Sequence, residues 1–208
     1  MKKLYLFIFY ILIFTNCSDP QSNENKISIE TSKKAAEHND KLVSFSSPII
    51  ENINSLNTQL LELTLKKENN LLIKSEVNDF SLLKDNLKLK INLVLDSISN
   101  MDVFDEKINF KECFYNRLLN YRNILNNDYP ELISILLIDT NVNNQMIIDN
   151  EIKILDLTLR IIETEKNSTK IQSNFANKYN FQLLNKSNTN WELKEQQVRD
   201  LKSQLLIK

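Results

Sequence analysis

The sequence predicts an all-α fold: an antiparallel four-helix up-down bundle of long helices, with a short helix added at the C-terminus. Three observations carry this expectation. Glycine is absent from all 208 residues, where average usage would place about 14. Apolar residues recur at steps of four and three through four long segments, the spacing that lines one face of a helix. The links between those segments are short and polar, which makes consecutive helices antiparallel neighbours. Tight hairpins and bulges depend on glycine for positive φ, so this chain is poorly suited to a β or doubly wound fold. Helices use glycine mainly as a C-terminal cap, a place asparagine can fill.

The first segment runs from about Thr31 to Lys67, with Ile49, Ile53, Leu56, Leu60 and Leu63 on one face. Pro48 is expected to kink or divide it, because proline lacks an amide donor and its ring clashes with the preceding turn. The second runs from about Val77 to Asn100 and places Leu83, Leu87, Ile91, Val94 and Ile98 inward, followed by Met101. The third, from about Ile108 to Ile138, directs Phe114, Leu118, Tyr121, Leu125, Leu132 and Leu136 to the core, with a second kink expected at Pro130. The fourth, from about Asn144 to Lys178, carries the stripe Ile148, Ile152, Leu155, Leu159 and Ile162, with Phe175 further on. Helices of about 30 residues reach roughly 45 Å, and seams of period near 3.5 favour left-handed packing. A last helix is expected from Trp191 to Leu206, with Thr189 and Glu192 at the spacing of a capping box.

Before the bundle lies a different kind of sequence. Lys2 and Lys3 precede an uninterrupted apolar run from Leu4 to Phe14, too short to span a bilayer, which takes about 20 residues. It has the length of a signal-peptide core. Thr15-Asn16-Cys17 follows where cleavage would fall and is similar to the looser lipoboxes of Bacteroidota or spirochaetes, with Phe14 and Asn16 at positions that usually hold leucine and a small residue. The expected organisation is a signal peptide over 1–16, a lipidated Cys17 with a polar tether over 17–30, the bundle over 31–185 and the short helix over 186–208. Lipid chains on Cys17 suffice as an anchor, since each buried methylene contributes about 0.8 kcal/mol. The expected location is the bacterial cell envelope, at the outer membrane, facing the periplasm or the surface.

Composition excludes several activities. The net charge is −1, and loss of Lys2 and Lys3 with the leader leaves 24 basic against 27 acidic side chains, or −3. A weakly acidic chain with no basic stripe gives no reason to expect nucleic acid as a partner. Without glycine there is no P-loop, dinucleotide fingerprint or nucleophile elbow. Metal sites in bundles use Glu-x-x-His pairs, but the single histidine, His38, has Ala35 three residues before it. No cofactor, metal or catalytic residue is therefore expected. His38, Asn39 and Asp40, together with Trp191, are candidate partner-binding residues. The plainer reading makes His38 a solvated or helix-edge residue and Trp191 a staple for the last helix. Cys113 reads as a small buried hydrophobe. Asp102, Asp105 and Glu106 read as a solvated loop lacking the EF-hand pattern. Aromatics on the third segment, Phe110, Phe114, Tyr115, Tyr121 and Tyr129, read as core.

Three short motifs carry a resemblance: His38-Asn39-Asp40-Lys41-Leu42-Val43, Met101-Asp102-Val103-Phe104, and Phe175-Ala176-Asn177-Lys178-Tyr179-Asn180-Phe181. Over about residues 34–184 the chain resembles an uncharacterised family of surface lipoproteins from Leptospira and Bacteroidota, with His38 where a tyrosine is usual. The resemblance implies an envelope location and a helical build, and brings no activity with it. The functional expectation is a membrane-anchored envelope lipoprotein acting as a non-enzymatic interaction or structural module, anchored by lipid and meeting an envelope protein. The alternative is a lipoprotein that holds a small apolar ligand between its helices.

Overall fold

The computed structural model describes residues 27–138, 144–183 and 190–207, and the chain is all-α, with no strand among them. Helix α1 spans Ile29–Glu68, α2 Lys74–Ser99, α3 Phe110–Asn123, α4 Tyr129–Leu136, α5 Asn144–Lys178 and α6 Trp191–Leu205. The expected leader, Cys17 and most of the tether fall in residues 1–26, outside the described residues, as do the link at 139–143 and Thr189. No described helix is long and apolar enough to cross a membrane.

The absent glycine is replaced by asparagine at each backbone position of positive φ among the described residues: Asn70, Asn109 and Asn180, with φ of 56°, 50° and 52°. Asparagine tolerates this region because its short side chain hydrogen-bonds locally. Asn70 ends α1 in a Schellman motif, in which Leu71 N donates to Lys66 O (2.8 Å) and Asn70 N to Lys67 O (3.1 Å). Asn180 ends α5 the same way, through Phe181 N to Ala176 O (3.1 Å) and Asn180 N to Asn177 O (3.3 Å). Asn109 closes the single turn that leads into α3.

Pro48 does not divide α1, which runs unbroken for 40 residues. Its ring is on the exposed side, so the carbonyl at Ser44 that loses its donor stays within reach of water. At Pro130 the chain answers differently. A π turn, Ile124–Asp128, joins α3 to α4 and inserts one extra residue immediately before the proline. Tyr129 N donates to Ile124 O there. The widened turn absorbs the missing donor and keeps the same side inward, because Tyr121 before it, Ile124 and Leu125 within it, and Tyr129, Leu132 and Leu136 after it are all buried.

Four rods, α1, α2, α3–α4 and α5, close a ring in which each packs against two neighbours. Their polar contacts run in opposite chain directions. Lys66 meets Glu76, and Arg122 Nη1 donates to Asn92 Oδ1 (3.4 Å) while Lys111 Nζ reaches Ser99 O (2.9 Å). Lys153 pairs with Glu131, Arg160 with Asp128 and Lys178 with Asp105. Gln172 donates to Asn39 (2.8 Å), and Asn150 to Thr64 (3.5 Å).

The core of α1 is longer than its apolar stripe suggests. Ala35, Asn39, Leu42, Ser46, Ile49, Ile53, Leu56, Leu60 and Leu63 are buried at unbroken steps of four and three. On α2 the expected Leu83 is 48% exposed. The seam passes instead through Phe80, Lys84 and Leu87, with the Lys84 side chain 12% exposed and its stem laid along the apolar surface.

The largest correction is on α5. The buried residues are Asn150, Ile154, Leu157, Ile161, Glu165, Ser168, Phe175, Ala176 and Tyr179, with Ile162 buried as expected, whereas the expected members Ile148, Ile152, Leu155 and Leu159 are half-buried. They lie on a second face, turned toward α6. The half-buried residues of α6 are Trp191, Glu195, Val198, Lys202 and Leu205, again at steps of four and three. Lys166 to Glu195 (2.8 Å) and Lys202 to Asp156 (2.5 Å) fix α6 antiparallel to α5. Its N-cap is Asn190, not Thr189: Asn190 Oδ1 accepts from Leu193 N (2.9 Å).

Urea unfolding distinguishes the two faces. Ile91→Asp places an unpaired carboxylate in the core and is expected to cost several kcal/mol, enough to unfold the chain. Leu155→Asp is expected to cost less and to detach α6, read as faster amide exchange over 191–205. Lys90→Asp, at an exposed position, should change stability by less than about 0.5 kcal/mol.

Candidate functional site

Polar residues occupy the centre of the bundle where the helical stripes call for apolar ones. Of the seven buried polar residues among those described, five gather in one layer: Asn39 and Ser46 on α1, Arg117 on α3, and Glu165 and Ser168 on α5. Arg117 Nε lies 3.0 Å from Glu165 Oε1, with each side chain 8% exposed. The Tyr121 hydroxyl donates to the same carboxylate oxygen. The Arg117 guanidinium also stacks over the Phe114 ring at 5.0 Å. Burial pushes the Tyr121 hydroxyl well up in pKa, and the Glu165 charge adds to the shift, so Tyr121 stays a proton donor to Glu165. The layer is closed by Gln172 Nε2 donating to Asn39 Oδ1, while Asn39 Nδ2 donates to Asp40 Oδ1 (3.0 Å).

Arg117 separates two open grooves. One, of about 470 Å³, lies between α1 and α5 and has Arg117 and Glu165 among its lining residues. The other, of about 480 Å³, lies between α3 and α5, lined by Asn116, Asn120, Asn167 and the edge of Cys113. Cys113 is half-buried and free, not a fully enclosed hydrophobe. Burial raises its thiol pKa despite a hydrogen bond with Ser168, which is the reverse of what a nucleophilic thiolate needs.

The motifs at His38, Phe104 and Phe175–Phe181, far apart in sequence, converge at one end of the bundle. Phe110 and Phe175 stack at 4.5 Å, Phe104 meets the edge of Tyr179 at 5.1 Å, and Phe181 meets Phe175 at 5.9 Å. His38 is half-buried rather than fully solvated. Its ring lies 5.5 Å from Phe104, 6.2 Å from Phe175 and 6.4 Å from Phe110, and its Nε2 is buried without a hydrogen-bond partner. Desolvation, then the charges of Lys111 and Lys41, lower its pKa, opposed by Asp102.

In the acidic link Asp102 and Glu106 are exposed as expected, whereas Asp105 is a clamp. Asp105 Oδ1 accepts from Lys107 N (2.9 Å) and Ile108 N (3.3 Å). Its Oδ2 accepts from Lys178 Nζ and the Tyr179 hydroxyl. Burial pushes this carboxyl up, but the hydrogen bonds outweigh it and hold the pKa below the ordinary value. Among the described residues no group of His, Cys, Asp or Glu is arranged to hold a metal ion.

The four expected partner-binding residues do not form one surface. Asn39 is 3% exposed and engaged inside the fold, so it is not an anchor for a macromolecule. Asp40 is exposed and lines the groove between α1 and α5. His38 turns toward the aromatic end. Trp191 is half-buried on α6, with Lys194 Nζ 5.3 Å over its ring, consistent with a staple. Sequence reasoning missed Arg117 and Glu165, although extending the four-three stripes through polar residues finds both. No family model, curated protein or solved structure matches the chain.

Two measurements follow from this geometry. Glu165→Ala leaves Arg117 buried without its partner and is expected to cost about 3–5 kcal/mol, whereas Arg117→Met with Glu165→Leu should recover most of that loss in urea unfolding. For His38, the folded pKa lies below the ordinary 6.5, so the unfolded chain binds more protons between the two values. Stability is then full above pH 6.5 and declines as pH falls toward the lowered pKa. His38→Phe should remove this part of the pH dependence, read as thermal midpoints from pH 7.5 to 5.

Proposed function

We propose that the chain is a membrane-anchored lipoprotein of the bacterial envelope, acting as a non-enzymatic interaction module whose α2 outer face receives an amphipathic helix of another envelope protein. The observation that carries this reading is a leucine seam on the side of α2 opposite its core. Leu82, Leu89 and Leu93 are 61%, 61% and 68% exposed, while Phe80, Leu87 and Ile91 face inward. Single exposed leucines are ordinary. A row at steps of seven and four is the spacing by which one helix meets another.

The surroundings of the seam define the partner. Ser75, Asn78 and Asn86 share its face, Asp96 and Asp85 lie at one edge, the latter paired with Lys84 (3.1 Å), and exposed Lys90 lies at the other. A helix with an apolar stripe and a basic residue opposite Asp96 fits both features. Anchoring rests on the leader and Cys17, and the resemblance to surface lipoproteins supports the same location. The alternative, an apolar ligand held between helices, has less support, since asparagine, serine, threonine and glutamine dominate the walls of the two central grooves.

The anchor and the seam are tested separately. The wild type should incorporate a fatty-acid analogue and fractionate with membranes, and Cys17→Ala should abolish both. A photo-crosslinker at Leu89 should give an adduct whose peptide comes from a different protein and forms an amphipathic helix with a basic residue at one edge, lost on Leu82→Asp with Leu93→Asp. Adducts only with α2 of a second copy, or none, would defeat the hetero-partner reading.

A further inference from the structure

The groove between α1 and α5 carries chemistry that the interaction reading does not use. Its floor is the Arg117–Glu165 pair, and its walls include Ser44 and Ser47 on α1 and Thr169 and Gln172 on α5. Both contacts of Glu165 with the described residues fall on Oε1, so Oε2 holds none among them. Arg117 Nε lies 3.0 Å from Glu165 Oε1, yet its N–H makes no hydrogen bond, and a guanidinium has five N–H groups. Gln172 donates to Asn39 through Nε2 and keeps its carbonyl oxygen available. The groove volume of about 470 Å³ falls within the roughly 300–1,000 Å³ of small-molecule sites.

Charge selects among ligand classes. The groove contains one cation, Arg117, and two anions, Glu165 and Asp40. An anion would satisfy Arg117 but meet two carboxylates, and a simple cation would satisfy the carboxylates against the guanidinium. A hydroxyl group both accepts and donates. Neighbouring hydroxyls can therefore accept from Arg117 and donate to Glu165 Oε2 in the same pose, forming the charge-assisted bonds that are stronger than neutral ones. Amide and hydroxyl side chains above the floor extend the same pattern. Val43, Phe114 and Leu183 add apolar surface that the C–H faces of such a ligand can cover, and the Phe114 face is already covered by Arg117. The geometry points to a small, uncharged, polyhydroxylated ligand, a sugar of one or two rings, bound over the Arg117–Glu165 pair. The site is separate from the α2 seam, so either can fail alone.

The test uses the full-length protein in a sugar-free detergent and a panel of glucose, galactose, mannose and N-acetylglucosamine. At least one sugar should give saturation transfer from the protein and shift the backbone amides of Thr169 and Gln172. Ser47→Leu with Thr169→Leu fills the groove without touching the buried pair, and should weaken that binding at least tenfold with an unchanged helical circular dichroism spectrum. Should this variant unfold, Ser47→Ala with Thr169→Val removes the two hydroxyls without added bulk and should weaken binding severalfold. No transfer from any of the four sugars, or binding untouched by the variant that folds, would overturn the proposal. So would shifts of the groove amides by glycine or inorganic phosphate but by none of the sugars.

Discussion

The Arg117–Glu165 pair is the constraint around which the middle of this bundle is arranged. Two buried charges must each offset the desolvation of the other, helped by further hydrogen bonds. Tyr121 supplies one of those bonds to Glu165, and the Phe114 ring lies under the guanidinium. The pair therefore fixes α3 against α5 in one register, since a slip of one turn would leave a guanidinium facing apolar side chains. The same requirement reaches α1, where Asn39 and Ser46 occupy the facing core positions and Gln172 bridges from α5. Polar side chains of modest size do not fill the interface as leucines would, and a groove opens beside them. The site and the register device are thus one arrangement of residues.

Apolar layers on either side hold that polar layer in place. At one end the rings of Phe104, Phe110, Phe175 and Tyr179 interlock around His38, and Asp105 ties the link before α3 to the end of α5. Toward the other end Ile53, Leu60, Ile91, Leu125 and Ile154 form an aliphatic core. This core closes without α6, no residue of which is buried. The half-buried seam between α5 and α6 and a few exposed ion pairs, each contributing about 0–1 kcal/mol, hold the last helix. It belongs to the low-stability part of the molecule, the part that opens first.

Helix α5 explains why a clear apolar stripe pointed the wrong way. Its outer face, Ile148, Ile152, Leu155 and Leu159, is more uniformly apolar than its core face, which includes Asn150, Glu165, Ser168 and Gln172. Periodicity identifies a face that will be covered, but it does not say by which neighbour. The same limit hid the first half of the α1 seam, where Asn39 and Ser46 interrupt the pattern that resumes at Ile49. On α2 a lysine stem occupied a core position that Leu83 had been expected to take, because a long charged side chain can bury its methylenes and leave its head in water.

The sequence by itself determined the helical class, the approximate helix bounds and the use of asparagine where other chains place glycine. Those properties are local: backbone conformational freedom, the 3.6-residue repeat and the chemistry of caps act within a few residues. It also located the inward faces of α1 beyond Ile49 and of the α3–α4 rod, where apolar spacing is unbroken. Only the tertiary structure decided which face of α5 meets the core, that Arg117 finds Glu165 and that His38 lies half-buried against rings from three other segments. It also decided that the proline at 130 is accommodated by a π turn while the one at 48 is left facing solvent. Each of these depends on a partner far away in the chain, and the free energy of burying a charge, a ring or a bare carbonyl is set by what lies opposite it.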